Sequence, residues 1–244
     1  MNLPESCIRP DWPAPENVRA LQTTRLGGVS IAPYDSLNLG QHVGDAPLAV
    51  ARNRMSLNSL LPSEPVWLEQ VHGTRVANAD MASCLPQADA CIARHRAAVC
   101  VVMTADCLPV LLCDMQGSVV GAAHAGWKGL AAGVIEATVQ AMDAAPQNLM
   151  AWLGPAIGRD AFEVGAEVRA AFVEMQPQAV SAFVPGQDGK WFADLYALAR
   201  LRLNALGITQ IYGGDHCTYR EREKFYSYRR DGVTGRMGTF IWLE

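Results

Sequence analysis

Three residues far apart in the chain share one kind of position. Cys107 interrupts the apolar run TADCLPVLLCD at Ala105-Asp106-Cys107, between two strand-like stretches and just ahead of Pro109. His124 ends the strand-like SVVGAAHA and is followed by AGWKG and a helix-like segment, and His72 closes VWLEQVH before Gly73. Turns at strand ends carry site residues more often than strand interiors do. Two imidazoles and one thiolate are enough for a tetrahedral zinc ion with a fourth position open to water or substrate. The same residues suit a different chemistry, in which Cys107 is a thiolate nucleophile and His124 its base. The spacing of 35 and then 17 positions fits no local zinc motif. A free cysteine is also among the most buried residue types, and a lone histidine at a strand end is commonly a polar cap.

A second set of residues suits anions. Lys128 falls in the first turn of the helix that follows His124, where a cation opposes the helix dipole unless a phosphate or carboxylate sits nearby. The plain alternative is a solvated lysine whose stem covers Trp127. Arg25, in TTRLGG, stands beside Gly27 and Gly28, which let backbone approach a ligand closely, or it is an exposed arginine on a hairpin turn. FYSYRR (225–230) reads as an amphipathic strand rather than a clamp on a planar ring. Cys84, Cys91, Cys100 and Cys113 lie in or beside well-packed runs and read as structural, and His42, His95 and His216 lie in polar or loop contexts outside the metal set.

The elements that must position these groups follow from periodicity. VRALQTT (18–24), VWLEQVHG (66–73) with TRVANA (74–79), ADACIA (88–93), AVCVVMTA (98–105), PVLLCD (109–114), SVVGAAHA (118–125) and LMAWLGPAI (149–157) read as strands, several of them buried on both faces. PLAVARNRMSLNSLL reads as a helix with Pro47 in its first turn. KGLAAGVIEATVQAMDA (128–144) switches to helical spacing. GAEVRAAFVEM (165–175) is helical with Val168, Phe172 and Met175 on one stripe, and Asp194 caps a helix that Gly207 stops. ITQIYGGDHCTY and TGRMGTFIWL supply the last strands. Dispersed helices among many strands argue for an α/β or α+β fold with mixed sheets.

Composition narrows the class. The 244 residues are half hydrophobic and 18% charged, which favours one globular domain over disorder. A net charge of -4 gives no sign of the basic face that nucleic acid needs, and it leaves room for a local basic pocket. No apolar run reaches the roughly 20 residues of a membrane span. The N-terminus has no basic segment leading into an apolar run, so a cytoplasmic protein with reduced thiols is expected.

TTRLGGVS, PYDSLNLG, WLEQVHG, MTADCLPVLLCD, HAGWKGLAAGV, AWLGPAIG, FEVGAEV, GGDHCTY and FYSYRRDGVTGRMGTFIWL occur in order along the chain. In these segments the sequence resembles the YfiH family, also called the laccase-domain or multicopper polyphenol oxidoreductase family. The resemblance implies a single domain over residues 1–244. It implies an α+β fold layered α/β/β/α with mixed sheets, similar to cysteine hydrolases that include bacterial toxin deamidases. It places the family's metal or catalytic residues at His72, Cys107 and His124, and it puts Lys128 where the family often carries arginine, which loses the bidentate fork. The activities it implies are phosphorolysis of purine nucleosides (adenosine, inosine, guanosine, methylthioadenosine), adenosine deamination, and copper-dependent polyphenol oxidation.

A laccase with blue-copper and three-copper sites needs many histidines. This chain has five and no His-x-His pair, so at most one copper site is available. The expectation is therefore a purine nucleoside phosphorylase with adenosine deaminase side activity. It works at a zinc site formed by His72, Cys107 and His124, with Arg25 and Lys128 on the substrate; copper is the alternative metal. The expected partners are a small nucleoside and phosphate, with no nucleic acid or membrane. The competing readings are a cysteine-nucleophile amide hydrolase acting on a cell-wall precursor and a copper-dependent polyphenol oxidase. A passive binding module is disfavoured by the reactivity of the site residues.

Overall fold

The computed structural model describes residues 6–81 and 85–244. In chain order its elements are β1 (Cys7–Ile8), β2 (Val18–Thr23), α1 (Pro47–Ser56), β3 (Val76–Asn78), β4 (Ala90–Ala93), β5 (Cys100–Thr104), β6 (Leu108–Asp114), β7 (Val120–Ala125), α2 (Trp127–Ala132), α3 (Val134–Met142), β8 (Leu149–Leu153), β9 (Glu163–Val164), α4 (Ala166–Val173), β10 (Phe183–Pro185), β11 (Trp191–Ala193), α5 (Leu195–Ala205), β12 (Gln210–Gly213), α6 (Tyr228–Asp231) and β13 (Met237–Leu243).

The strands form mixed sheets. The largest has the order β12-β8-β6-β7-β4-β3, with parallel pairs at both ends and antiparallel pairs between. A second sheet, β1-β2-β13-β5, is antiparallel throughout, and a small antiparallel sheet joins β10, β11 and β9.

Strand alternation assigns each face a partner. In β6, Val110 and Leu112 pack into a core with Leu130, Ile135, Val139, Phe172 and Leu198 from α2 to α5. The alternate residues Leu111 and Cys113 face a second core shared with Cys100, Val102 and Ile241 of the other sheet. That other sheet buries its far face, Leu21, Val101, Met103 and Phe240, under Leu37, Leu39, Leu57 and Trp67. The architecture is thus a mixed α+β stack: helices, sheet, sheet, and then α1 with its neighbouring loops.

Several sequence readings need correction. Residues 66–71 are extended but form only isolated bridges, at Val66 and Glu69, and residues 72–73 turn away. The Gln70 amide takes both the N–H and the C=O of Met103, at 2.7 and 2.9 Å, so a side chain does what a ladder would do. The helix expected over 128–144 is two helices, because Gly133 at φ 99° ends α2 and starts α3. The helix after Pro47 stops at Ser56. Met175 lies beyond α4 and is exposed, leaving Val168 and Phe172 as the buried stripe. FYSYRR is not a strand: Phe225 and Tyr226 are buried, and Ser227 caps α6 by accepting from the Arg230 N–H. Cys91, Cys100 and Cys113 are fully buried as expected, whereas Cys84 lies outside the described residues.

Candidate metal centre

β6 and β7 pair antiparallel, and this register sets Pro109 opposite His124 and Leu108 opposite Ala125. The ladder therefore carries the end of β7 beside the turn that holds Cys107. His72 arrives from the other side, on the turn that closes the extended segment 66–71. The ligand atoms of His72, Cys107 and His124 all lie within 4.8 Å of one another. Cys107 Sγ is 3.8 Å from His72 Nε2, and the two imidazole rings meet edge to face at 4.8 Å between centroids.

One buried carboxylate organises both histidines. Asp89, just before β4, is fully buried. Its Oδ1 accepts from His124 Nδ1 at 2.8 Å and from the His72 N–H at 2.9 Å, and its Oδ2 accepts from the Val71 and Gly73 N–H groups. Its own C=O accepts from the His124 N–H at 2.7 Å. With Nδ1–H given to Asp89, His124 turns Nε2 toward Cys107. This carboxylate–imidazole relay is how protein metal sites fix the tautomer and basicity of a ligand. Burial alone would raise the Asp89 carboxyl, but the hydrogen bonds from His124, Gly73 and Val71 outweigh it and hold the group below its ordinary value.

The same contacts set the thiol. Burial alone would raise Cys107, yet the charge and hydrogen bond of His124, together with His72, bring it down to about 6. His124 moves the opposite way: burial opposes its charge, but Cys107 and Asp89 raise it to about 9. Without a metal the pair is therefore a thiolate facing an imidazolium.

Local backbone explains why these turns exist. His72 has φ 60° and Asp106 has φ 93°, a left-handed region that non-glycine residues seldom occupy. Asp89 holds the first turn. Asp106 holds its own: its Oδ1 accepts from Thr218 Oγ1 and its Oδ2 from the Arg229 N–H, both at 2.6 Å, and its C=O accepts from the Ile157 N–H. Glu69, the other acid close to the histidines in sequence, is exposed and uses only its backbone. Gly126 is needed for a different reason. A Cβ there would lie 2.9 Å from both Cys107 Sγ and His72 Cδ2, so only glycine lets α2 begin against the site.

The donor set fits a metal. Bonds of about 2.0 to 2.3 Å to nitrogen and sulfur put tetrahedral donors roughly 3.3 to 3.8 Å apart; Cys107 Sγ and His72 Nε2 stand at 3.8 Å, and all three donors lie within 4.8 Å of one another. His72 is exposed, Cys107 partly so and His124 buried, so the open side of the group faces outward at His72.

The chain from residue 19 to 244 matches a family model described as multi-copper polyphenol oxidoreductase laccase. The chain belongs to this family. Its relatives include purine nucleoside phosphorylase YfiH of Escherichia coli, 55% identical over 97% of this chain and 98% of that one. A purine nucleoside phosphorylase of Pseudomonas aeruginosa is 54% identical over 97% and 98%. Among solved structures, a Neisseria meningitidis protein superposes with a TM-score of 0.96 at 53% identity, covering 98% of this chain and all of that one. YlmD of Geobacillus stearothermophilus superposes with a TM-score of 0.90 at 30% identity, covering 100% and 98%. The laccase-like, YfiH-type fold expected from the motifs is thus the fold this chain has.

The anion candidates of this laccase-like chain sit differently. Lys128 is exposed at the start of α2, with Nζ 5.7 Å from the Trp127 ring centroid, the covering arrangement. α2 has only six residues, so its dipole is slight. Arg25 Nη2 pairs with Asp35 at 3.1 Å, while Nε and Nη1 donate to the carbonyls of Asp35 and Arg222. Sequence reasoning missed Asp89. The available signal was a lone carboxylate opening the otherwise apolar run ADACIA.

Proposed function

We propose that the chain is a purine nucleoside phosphorylase, with adenosine deaminase side activity, working at a zinc centre of His72, Cys107 and His124. The observation that carries this reading is the pre-set triad. One buried carboxylate orients the His124 imidazole and fixes the backbone turn that carries His72, and the thiol is already a thiolate at neutral pH, the form a metal requires. The names of the YfiH-type relatives support it.

In phosphorolysis a phosphate oxygen bonds to the ribose C1′ as the C1′–N9 bond breaks. The bonding pair leaves with the purine, and the proton brought by phosphate ends on the base. Zinc, when bound, supplies a Lewis acid that polarises a substrate oxygen or acidifies water. The chain's residues do the rest. Asp89 keeps Nδ1 of His124 protonated, so the proton that metal binding would displace comes from Nε2, the nitrogen that faces Cys107. Gly126 leaves room beside Cys107. Lys128, with a free ammonium, and Arg25, with two N–H groups not spent on Asp35 or Arg222, are the proposed substrate-binding cations. The nucleoside enters from the outward side at His72. The whole chain acts as a single domain in the cytoplasm, with copper as the alternative metal.

The test is a screen of metal-defined protein against adenosine, inosine, guanosine and methylthioadenosine, with and without phosphate, following base and ammonia by chromatography. Phosphate-dependent base release with about one zinc per chain is expected. A second reading has its own support, since the thiolate–imidazolium pair also suits a cysteine-nucleophile amide hydrolase like the toxin-deamidase group. Metal-free protein that stays active and is trapped by alkylation at Cys107 selects that reading instead. Polyphenol oxidation that depends on added copper selects the third.

A further inference from the structure

Two arginines that no part of the proposed centre uses converge beside it. Leu39 joins them through its own peptide groups: its N–H donates to the Arg236 C=O at 3.1 Å, and its C=O accepts from Arg54 Nε and Nη2 at 3.0 and 2.8 Å. Asn38 Oδ1 accepts from the N–H groups of both Gly40 and Arg236 at 2.9 Å, which zips the loop carrying His42 onto the start of β13. Gly40 leaves the space that Arg236 fills, because a Cβ there would lie 2.8 Å from Arg236 Cγ. Arg54 lies flat on Trp67, 3.6 Å from the ring centroid, and its Nη2 is 3.9 Å from Met103 Sδ. Met103, four positions ahead of Cys107, is the residue clamped by Gln70, which itself stands two positions ahead of His72.

Both guanidiniums are half-buried, and neither has an ion pair among the described residues. Arg236 spends Nη1 on the carbonyls of Thr234 and Gly235, so Nε and Nη2 have no protein partner among the described residues. Arg54 keeps Nη1 in the same condition. The acids that face them are engaged elsewhere: Glu64, near Arg54, accepts from Trp67 Nε1, and Asp106, near Arg236, holds Thr218 and Arg229. Burial pushes Arg54 down to about 10 and lowers Arg236 too, with Cys107, Asp106 and Tyr228 pulling the latter back. The field converges on His42, which is held low by partial burial and then by Arg236 and Arg54. Desolvated cations without a counter-charge are costly, and the free Nε–Nη2 edge of Arg236 together with Nη1 of Arg54 suits a tetrahedral oxyanion.

We infer that Arg54 and Arg236, with His42 at the rim, form the binding site for a phosphate-class oxyanion next to the His72–Cys107–His124 centre. For the identity of that oxyanion as the co-substrate phosphate, the inference rests on the phosphorylase reading. The site then holds phosphate from the side of β13 and the Leu39 loop, while Lys128 and Arg25 are left to the nucleoside or to steering.

The experiment titrates inorganic phosphate into the zinc-loaded protein by calorimetry, with the His42 ring signals followed by NMR. Wild type is expected to bind, with the His42 pKa moving up as its cationic surroundings are neutralised. Arg236→Gln is expected to weaken binding about tenfold or more and Arg236→Lys less, since a point charge replaces a fork. Arg54→Lys, which keeps a cation over Trp67, guards against misfolding, and each variant's thermal midpoint is recorded. In turnover the same variants raise KM for phosphate and leave KM for nucleoside near its starting value. Wild-type phosphate affinity in Arg236→Gln and Arg54→Lys overturns the site, as does loss of affinity confined to Lys128→Gln or Arg25→Gln. Adenosine 5′-monophosphate that binds at least about tenfold tighter than phosphate, and loses this in the same variants, supports the pocket but assigns it to an ester phosphate. Base release that ignores phosphate sinks phosphorolysis and leaves the titration to decide the pocket, so the two failures are told apart.

Discussion

At the proposed centre, single substitutions of Cys107 and of Asp89 separate the donor from the group that positions it. Cys107→Ala removes the sulfur donor and is expected to lower both zinc occupancy and base release, read by metal analysis and chromatography on the same sample. Asp89→Asn keeps the shape but removes the charge that fixes the His124 tautomer and the His72 turn. Changes of this kind cost about 10- to 100-fold in metal affinity or activity, and competition with a chromogenic chelator measures it. Unchanged zinc affinity in Asp89→Asn would show that the carboxylate only braces the fold. The thiol makes a prediction about pH. An acid whose pKa is lowered is ionised above the lowered value, so metal-stripped Cys107 should alkylate with a rate that climbs through about pH 6 and is flat by pH 8. An ordinary thiol would still be climbing at pH 8. A rate profile with its midpoint near 8.5 to 9 would mean that His124 does not pair with the sulfur.

At the scale of elements, the site is a meeting of turns. The turn at Asp106 is fastened to three separate segments, at Ile157, Thr218 and Arg229, by one side chain and one carbonyl. Asp106→Ala strands the Thr218 hydroxyl and the Arg229 N–H, each of which costs about 1 to 3 kcal/mol when buried and unpaired. Denaturant unfolding should therefore show a loss of about 2 kcal/mol or more, together with lower zinc occupancy although no ligand has changed. The start of α2 is equally constrained. Gly126→Ala drives a methyl into Cys107 and His72, and zinc content should fall while far-ultraviolet dichroism stays near that of the parent. The six-stranded sheet supplies rigidity, because every residue of β6 and β7 is buried and the β6–β7 register alone decides what faces His124.

For the whole molecule, a metal held by His72, Cys107 and His124 would link chain segments that are distant in sequence. Among the described residues no helix is long and apolar enough to cross a membrane. A ligand that binds only the folded state stabilises it by about 2.7 kcal/mol at a free concentration 100 times its Kd. For a chain of this size that corresponds to about 5 to 10 °C in the thermal midpoint. Chelation should produce a drop of that order in scanning calorimetry, reversed by zinc, and no drop at all would mean the three donors do not hold an ion in solution.

Read alone, the sequence determined most of the strands, the helices that start at Pro47 and after Asp194, and the three side chains that the fold brings together at His72, Cys107 and His124. Apolar alternation, Pro47, Asp194 and Gly207 are local signals, and the motifs around His72, Cys107 and His124 carried the YfiH resemblance. What it left open depended on partners remote in the chain. Residues 66–73 look like a strand because their side chains alternate, but the N–H groups of Val71, His72 and Gly73 go to Asp89, and β5 is bridged by the Gln70 side chain instead. Asp89 read as one more strand residue, since nothing nearby in sequence reveals which imidazole a buried carboxylate will meet. Arg54 and Arg236 are 182 positions apart, and only the backbone of Leu39 brings them together. Hydrogen bonds and charges act over a few ångströms of space, so long-range pairing becomes legible only once the chain has closed on itself.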